Sequence, residues 1–206
     1  MNQRFLVGIV LLGFLAAQLS FGDTYAEVPD AGQLLGTAQN ASGGANPLTA
    51  ITGTVGSTSD VDMFKILITG AFSANTFGTE ALVGFLFDPE LWLFDAVGSL
   101  IYVNDDCGVA PSGLNACVPY PFPGTLALAP GSYNLAISRC CKFPLYDGSG
   151  HLSGWAINGI FSGDYIINLS GAEFVNPVPE PGTLLLLTSG LLAAYRRKKL
   201  RPKPSS

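Results

Sequence analysis

Residues 130–138 read Pro130-Gly131-Ser132-Tyr133-Asn134-Leu135-Ala136-Ile137-Ser138. Pro-Gly marks a turn, and behind it Tyr133, Leu135 and Ile137 alternate with Asn134, Ala136 and Ser138. Successive side chains of an extended chain point to opposite faces, so this two-residue period predicts a strand with one apolar face. Residues 164–170 repeat it with Tyr165, Ile167 and Leu169, and residues 62–69 with Phe64, Ile66 and Ile68 opposite Lys65. Working outward, further strands are predicted over 48–55, 82–87, 91–94, 99–103 and 125–128. Asp95-Ala96-Val97-Gly98 has Asp first and Gly last, as a type I turn prefers, and should fold 91–94 back onto 99–103. Residues 105–124 and 142–159 read as loops. No stretch of the body sustains a helical period with caps. Around eight strands with two-sided patterning predict an all-β fold, two sheets packed face to face in a sandwich of jelly-roll type.

Composition agrees with this reading. The chain has 206 residues, enough for one domain plus targeting segments, and it combines 12% charged residues with 25 Gly and 14 Pro. Its net charge of −5 is unevenly distributed: six of the ten basic residues lie at 196–203, and one more is Arg4. Between Glu27 and Val178 the basic residues are Lys65, Arg139 and Lys142, against thirteen acidic ones, a formal charge of −10. Such a body would not neutralise phosphates, which argues against nucleic acid as a partner. A divalent cation or a neutral polysaccharide is easier to accommodate.

The two ends carry targeting signals. Residues 1–26 read as a signal peptide, with Arg4 as the positive start and 5–17 as the apolar core. Small residues at Ser20 and Gly22, and again at Thr24 and Ala26, allow a cut after Gly22 or after Ala26. Residues 27–47 form an extended lead-in to a sandwich at 48–172, and 173–178 are a linker. Residues 179–201 begin with Pro179-Glu180-Pro181, continue through an apolar run at 184–195, and reach the basic stop Arg196-Arg197-Lys198-Lys199. Residues 202–206 are left as a cytoplasmic tail. The prolines separate the fold from the apolar run, and the basic cluster stays on the cytoplasmic side. A run of twelve residues falls short of the roughly 20 of a spanning helix. A short transmembrane helix of this kind suits a transient sorting signal. The expected fold class therefore includes an N-terminal signal helix and a C-terminal hydrophobic helix flanking the sandwich.

The tail resembles the PEP-CTERM sorting signal, headed by Pro179, Glu180 and Pro181. That resemblance implies a substrate of exosortase, a membrane transpeptidase-like protease, in bacteria that make exopolysaccharide and biofilm. The body resembles the bacterial pre-peptidase C-terminal domain, a β-sandwich appended to many secreted enzymes. Asp60-Val61-Asp62-Met63-Phe64, Leu91 through Gly98, Asn104-Asp105-Asp106 and Leu128 through Tyr133 occur in the matching order. Together the two resemblances imply an exported protein, held at the inner membrane as a precursor and then displayed at the cell surface or in the extracellular matrix.

Several residue groups are candidates for chemistry. Asp60 and Asp62 share one face at the start of a strand, and Asn104, Asp105 and Asp106 end another. Oxygens converging from two loops suit calcium, while turn and strand-end bonding to backbone amides explains the same residues without an ion. No other cofactor is expected. Cys107, Cys117, Cys140 and Cys141 are even in number in an exported chain, so two disulfides are expected. A bond between adjacent cysteines strains the backbone, which favours Cys140 and Cys141 both bridging to the 105–124 loop, with the pairing open. Zinc is disfavoured, because His151 is the sole histidine and the two-residue cysteine spacing is absent. Tyr120, Tyr146 and Trp155 fall in predicted loops, where exposed rings stack on sugars; aromatic residues within strands are expected in the core. His151 lies in a Gly/Ser-rich stretch, and no G-x-S-x-G elbow accompanies it. The expected function is a non-enzymatic surface or matrix protein sorted by exosortase. The alternatives are a carbohydrate- or calcium-binding module, and a hydrolase using His151 as base.

Overall fold

The computed structural model describes residues 22–78, 84, 86, 88–107, 114–121, 123–156 and 162–176. Within them the chain forms β1 (Asp23–Ala26), β2 (Gln39–Asn40), β3 (Leu48–Val55), β4 (Asp62–Asn75), β5 (Pro89–Phe94), β6 (Leu100–Asn104), β7 (Cys117–Val118), β8 (Leu126–Ala127), β9 (Gly131–Arg139), β10 (Phe143–Tyr146), β11 (Leu152–Ala156) and β12 (Gly163–Glu173). β3 coincides with its predicted span, and β9 and β12 overrun theirs at both ends. The turn at 95–98 is formed as expected: Asp95 Oδ1 accepts from the amides of Val97 at 3.0 Å and Ser99 at 2.8 Å, and Gly98 takes φ +91°. The expected strand at 82–87 and both terminal helices lie wholly or largely outside the described residues.

The fold is the expected all-β sandwich. Its principal sheet runs β1-β3-β12-β4-β9-β5-β6, with β2, β7 and β8 added along β4 and β10-β11 forming a separate hairpin. β4 is long enough to serve two sets of partners. Residues 62–68 pair with β9 and residues 71–75 with β8 and β7, while β12 pairs with residues 67–68 and 73–75. The register between β12 and β4 slips between Ser170 and Ala172, as in a β-bulge. Gly171 sits at the slip with φ +74°, and any Cβ there would collide with the Ala71 carbonyl. Only glycine meets both demands, and the bulge lets the two long strands bend into both layers.

Apolar faces meet between the layers. Phe64, Ile66, Leu91, Leu93, Leu135 and Ile137 pack with Ile51, Val55, Phe72, Tyr165, Ile167 and Leu169. The opposite face of β4, β5 and β9 is covered as well. There Val61, Met63, Trp92, Phe94 and Ala136 meet Leu152 and the partly buried Leu34, Leu35 and Trp155. β9 is therefore buried on both faces, including Asn134 and Ser138 of its more polar side. The covering elements are the turn around residue 35 and the β10–β11 hairpin. The hairpin replaces part of the loop expected at 142–159, just as β7 replaces part of the one at 105–124.

Candidate metal centre

Asp62 opens β4 on the face that carries Phe64, so strand alternation aims its carboxylate toward the interior. β1 then brings two more carboxylates to it. β1 pairs in parallel with β3, and the chain leaves it with the Glu27 amide donating to the Thr52 carbonyl at 2.9 Å. Glu27 is fixed by the amides of Ala31 at 2.6 Å and Thr54 at 2.9 Å, and the Tyr165 hydroxyl reaches it at 3.5 Å. Glu27, Asp30 and Asp62 each contribute a carboxylate oxygen, and these atoms lie within 4.8 Å of one another. Two oxygens bound to one calcium at about 2.4 Å are separated by at most about 4.8 Å, so these separations satisfy the first requirement for one shared ion.

The electrostatics are those of a site short of positive charge. Asp62 is fully buried, and neither carboxylate oxygen makes a well-formed hydrogen bond, the Tyr165 hydroxyl being the nearby donor that favours its ionised form. Burial, then the Asp60 and Glu27 carboxylates, push its carboxyl up to about 9. Asp60 is also raised, chiefly by burial, although its carboxylate accepts from the Gly56 amide at 2.7 Å. Lys142, 1% exposed, donates from Nζ to the Asp60 carbonyl at 2.5 Å, and burial lowers its ammonium against the pull of Asp60 and Asp62. Burial above all raises the Tyr165 hydroxyl, with Asp62 adding to it. The Lys142 ammonium thus acts on Asp60 and Asp62, while Asp60, Glu27 and Asp30 all add negative charge around Asp62. An unpaired buried carboxylate is costly, and either a proton or a cation lowers that cost. The donors are all oxygens, the ligand set of a hard cation such as calcium.

The sheet register separates the two halves of the expected five-residue calcium set. Asp62 lies opposite Ile137, Ile137 opposite Leu91, and Leu91 opposite Asn104. Three strand steps are about 14 Å, so Asp60 and Asp62 cannot share an ion with Asn104, Asp105 and Asp106. Asn104 Oδ1 instead accepts from the Cys117 amide at 3.1 Å, tying β7 to the end of β6. Asp105 joins Asp88 and Cys140 in a second cluster, where burial and then Asp88 raise its carboxyl to about 6. Nearby Glu90 rises to about 8, through burial and then Asp105, although the amides of Cys141 and Lys142 oppose the shift. Cys140 is disulfide-bonded, and its sulfur is a poor ligand for a hard cation. The Glu27–Asp30–Asp62 group is therefore the better metal candidate.

The remaining candidates fall as follows. The disulfides are Cys107–Cys117 and Cys140–Cys141, which corrects the expectation that both of the latter would bridge to the 105–124 loop. Cys107 and Cys117 meet because the Cys107 amide donates to the Asn115 carbonyl, closing their loop on itself, and the adjacent pair sits in a turn with Cys141 at φ +72°. Trp155 is also corrected as a free sugar-stacking ring. It packs edge-on to Trp92 at 5.4 Å and Phe94 at 6.0 Å, and its indole donates to the Gln33 carbonyl at 2.8 Å. Tyr120 and Tyr146 are 55% and 42% exposed and remain open to a ligand. His151 closes the β10–β11 turn, its amide donating to Asp147 at 3.0 Å. Pro179, Glu180, Pro181 and Arg196 to Lys199 lie outside the described residues. Sequence reasoning missed Glu27, Asp30 and Lys142, and the one signal available was the pair of acids in the lead-in at 27–47.

Comparison with known proteins adds a sorting class to this geometry. Residues 177–199 match the PEP-CTERM protein-sorting motif. The chain is thus an exported protein, membrane-held at its C-terminus as a precursor and processed by exosortase before surface display or extracellular release. No curated protein matches it. Among solved structures it is similar to the pre-peptidase C-terminal domain of a collagenase from Bacillus anthracis. The identity is 12%, the TM-score 0.34, and the match covers 73% of this chain and 97% of that one.

Proposed function

We propose that the protein is a non-enzymatic surface or matrix protein whose sandwich binds calcium. Sorting delivers it to an exopolysaccharide or biofilm matrix. The observation that supports calcium binding is Asp62, a fully buried carboxylate whose oxygens make no well-formed hydrogen bond beyond the nearby Tyr165 hydroxyl, within reach of Glu27 and Asp30. An ion there would tie the segment after β1 to the start of β4. It would also reduce the negative charge of a body that carries −10 between Glu27 and Val178, easing approach to an anionic polymer. A non-enzymatic role is favoured because the sequence carries a single histidine and no G-x-S-x-G elbow, and the raised carboxylates Asp62 and Glu90 lie at the starts of β4 and β5.

Two measurements test the two parts of this reading separately. Metal analysis of the exported protein after equilibrium dialysis against millimolar calcium should find about one ion per chain above the dialysate, lost in Asp30→Asn. Chain without bound calcium would overturn the calcium reading. Intact-mass analysis of the final product should place its C-terminus near Pro179 to Pro181 in cells with exosortase, and should find Arg201 and Lys203 retained in cells without it. Retention of those residues in both would overturn the sorting account.

A further inference from the structure

We propose that the mature protein begins at Asp23, the leader being removed by hydrolysis of the Gly22–Asp23 peptide bond. Small residues permit two cuts, after Gly22 with Ser20 two residues before it, or after Ala26 with Thr24 two residues before it. The fold distinguishes them, because the four residues between the two sites are β1. Thr24, Tyr25 and Ala26 pair in parallel with Ala50, Ile51 and Thr52 of β3. The Asp23 amide donates to the Pro47 carbonyl at 2.9 Å. Its carboxylate accepts from the amides of Ala45 at 3.0 Å and Asn46 at 3.1 Å and from Asn46 Nδ2 at 3.1 Å, bonds that hold its carboxyl below the usual range. Tyr25 packs edge-on to Phe64, with ring centroids 6.0 Å apart, and its hydroxyl donates to Gln39 at 2.9 Å.

A cut after Ala26 would discard all of this. It would bare the edge of β3 and make Glu27 the terminal residue, with a charged ammonium where a neutral amide now donates to Thr52. A cut after Gly22 keeps β1 whole and ends the leader where the sheet begins. Water supplies the elements of the hydrolysis: a carboxylate remains on Gly22 and an ammonium appears on Asp23. The timing is constrained too. In the folded chain Gly22 lies against the Thr49 side chain and Asp23 is hydrogen-bonded, so the protease must act before β1 docks on β3.

N-terminal sequencing of the exported protein tests the proposal, together with two full-length variants. The native chain should begin at Asp23. Ala26→Arg puts a large cation at the last leader position of the rival site and on an exposed side of β1, and its product should still begin at Asp23. Ser20→Arg should reduce mature product at least about tenfold and accumulate precursor, because the residue two before the cut must be small. A native chain beginning at Glu27, or one still carrying Met1, would overturn the proposal. So would loss of processing in Ala26→Arg with normal processing in Ser20→Arg.

Discussion

Replacing Asp62 by asparagine should stabilise the cation-free protein at neutral pH, although it removes a buried native group. The Asp62 carboxyl titrates near 3.8 in an unfolded chain and near 9 in the folded one. Between those pH values the folded chain keeps a proton that the unfolded chain has lost. Folding stability contributed by this residue therefore falls as pH rises, by about 1.4 kcal/mol per pH unit. From 3.8 to pH 7 the loss reaches roughly 4 kcal/mol, which asparagine does not incur. At about 2–4 °C per kcal/mol for a domain of this size, the variant should melt roughly 8–16 °C higher at pH 7 with a chelator present. The assay is thermal unfolding of both proteins from about pH 4 to pH 9. Glu90 and Asp105 produce slopes of the same sign in both chains, so the difference between the curves isolates Asp62. The gap should widen steadily with pH. Parallel curves would refute the raised carboxyl, and a variant less stable at every pH would show that Asp62 is satisfied by contacts the amide cannot reproduce.

Three other outcomes follow from the geometry. Gly171→Ala combines a positive φ with a collision against the Ala71 carbonyl, and should lower stability by roughly 2–4 kcal/mol in urea unfolding; an unchanged midpoint would mean the bulge is not needed. Reduction of the exported protein should add about four hydrogens, and a non-reducing digest should give Cys107 joined to Cys117 and a single peptide holding an internal Cys140–Cys141 bond, whereas any peptide joining the two pairs would contradict the structure. Tyr120→Ala combined with Tyr146→Ala should weaken retention on the host's own polysaccharide if these exposed rings stack on sugars, while unchanged retention would remove carbohydrate from the candidate ligands.

The strands were legible where burial differs between faces. Alternation at 48–55 and 132–138 located β3 and β9, and Asp95 with Gly98 located the turn between β5 and β6. β1 escaped because Asp23-Thr24-Tyr25-Ala26 is short and lies where leader cleavage motifs are sought. β10 escaped because Pro144 argues against a strand; it is tolerated in a hairpin paired on one side, with β11. The site was half legible. Asp60 and Asp62 stood out as acids at a strand start, but the partners of Asp62 come from a segment 32 and 35 residues earlier, delivered by the parallel pairing of β1 with β3. Local pattern carries no information on such pairing. The same lack of register joined Asp105 and Asp106 to Asp62 across a distance the sheet does not close.

Calcium titration by calorimetry in two buffers of different ionisation enthalpy tests the cation site most directly. At about pH 7.5 the Asp62 carboxyl of the cation-free protein is protonated, and an ion can bind it only as that proton leaves. The expected result is about one calcium per chain with close to one proton released, and loss of both the binding and the proton release in Asp62→Asn. Absence of binding at millimolar calcium, or binding that survives in Asp62→Asn, would contradict the assignment.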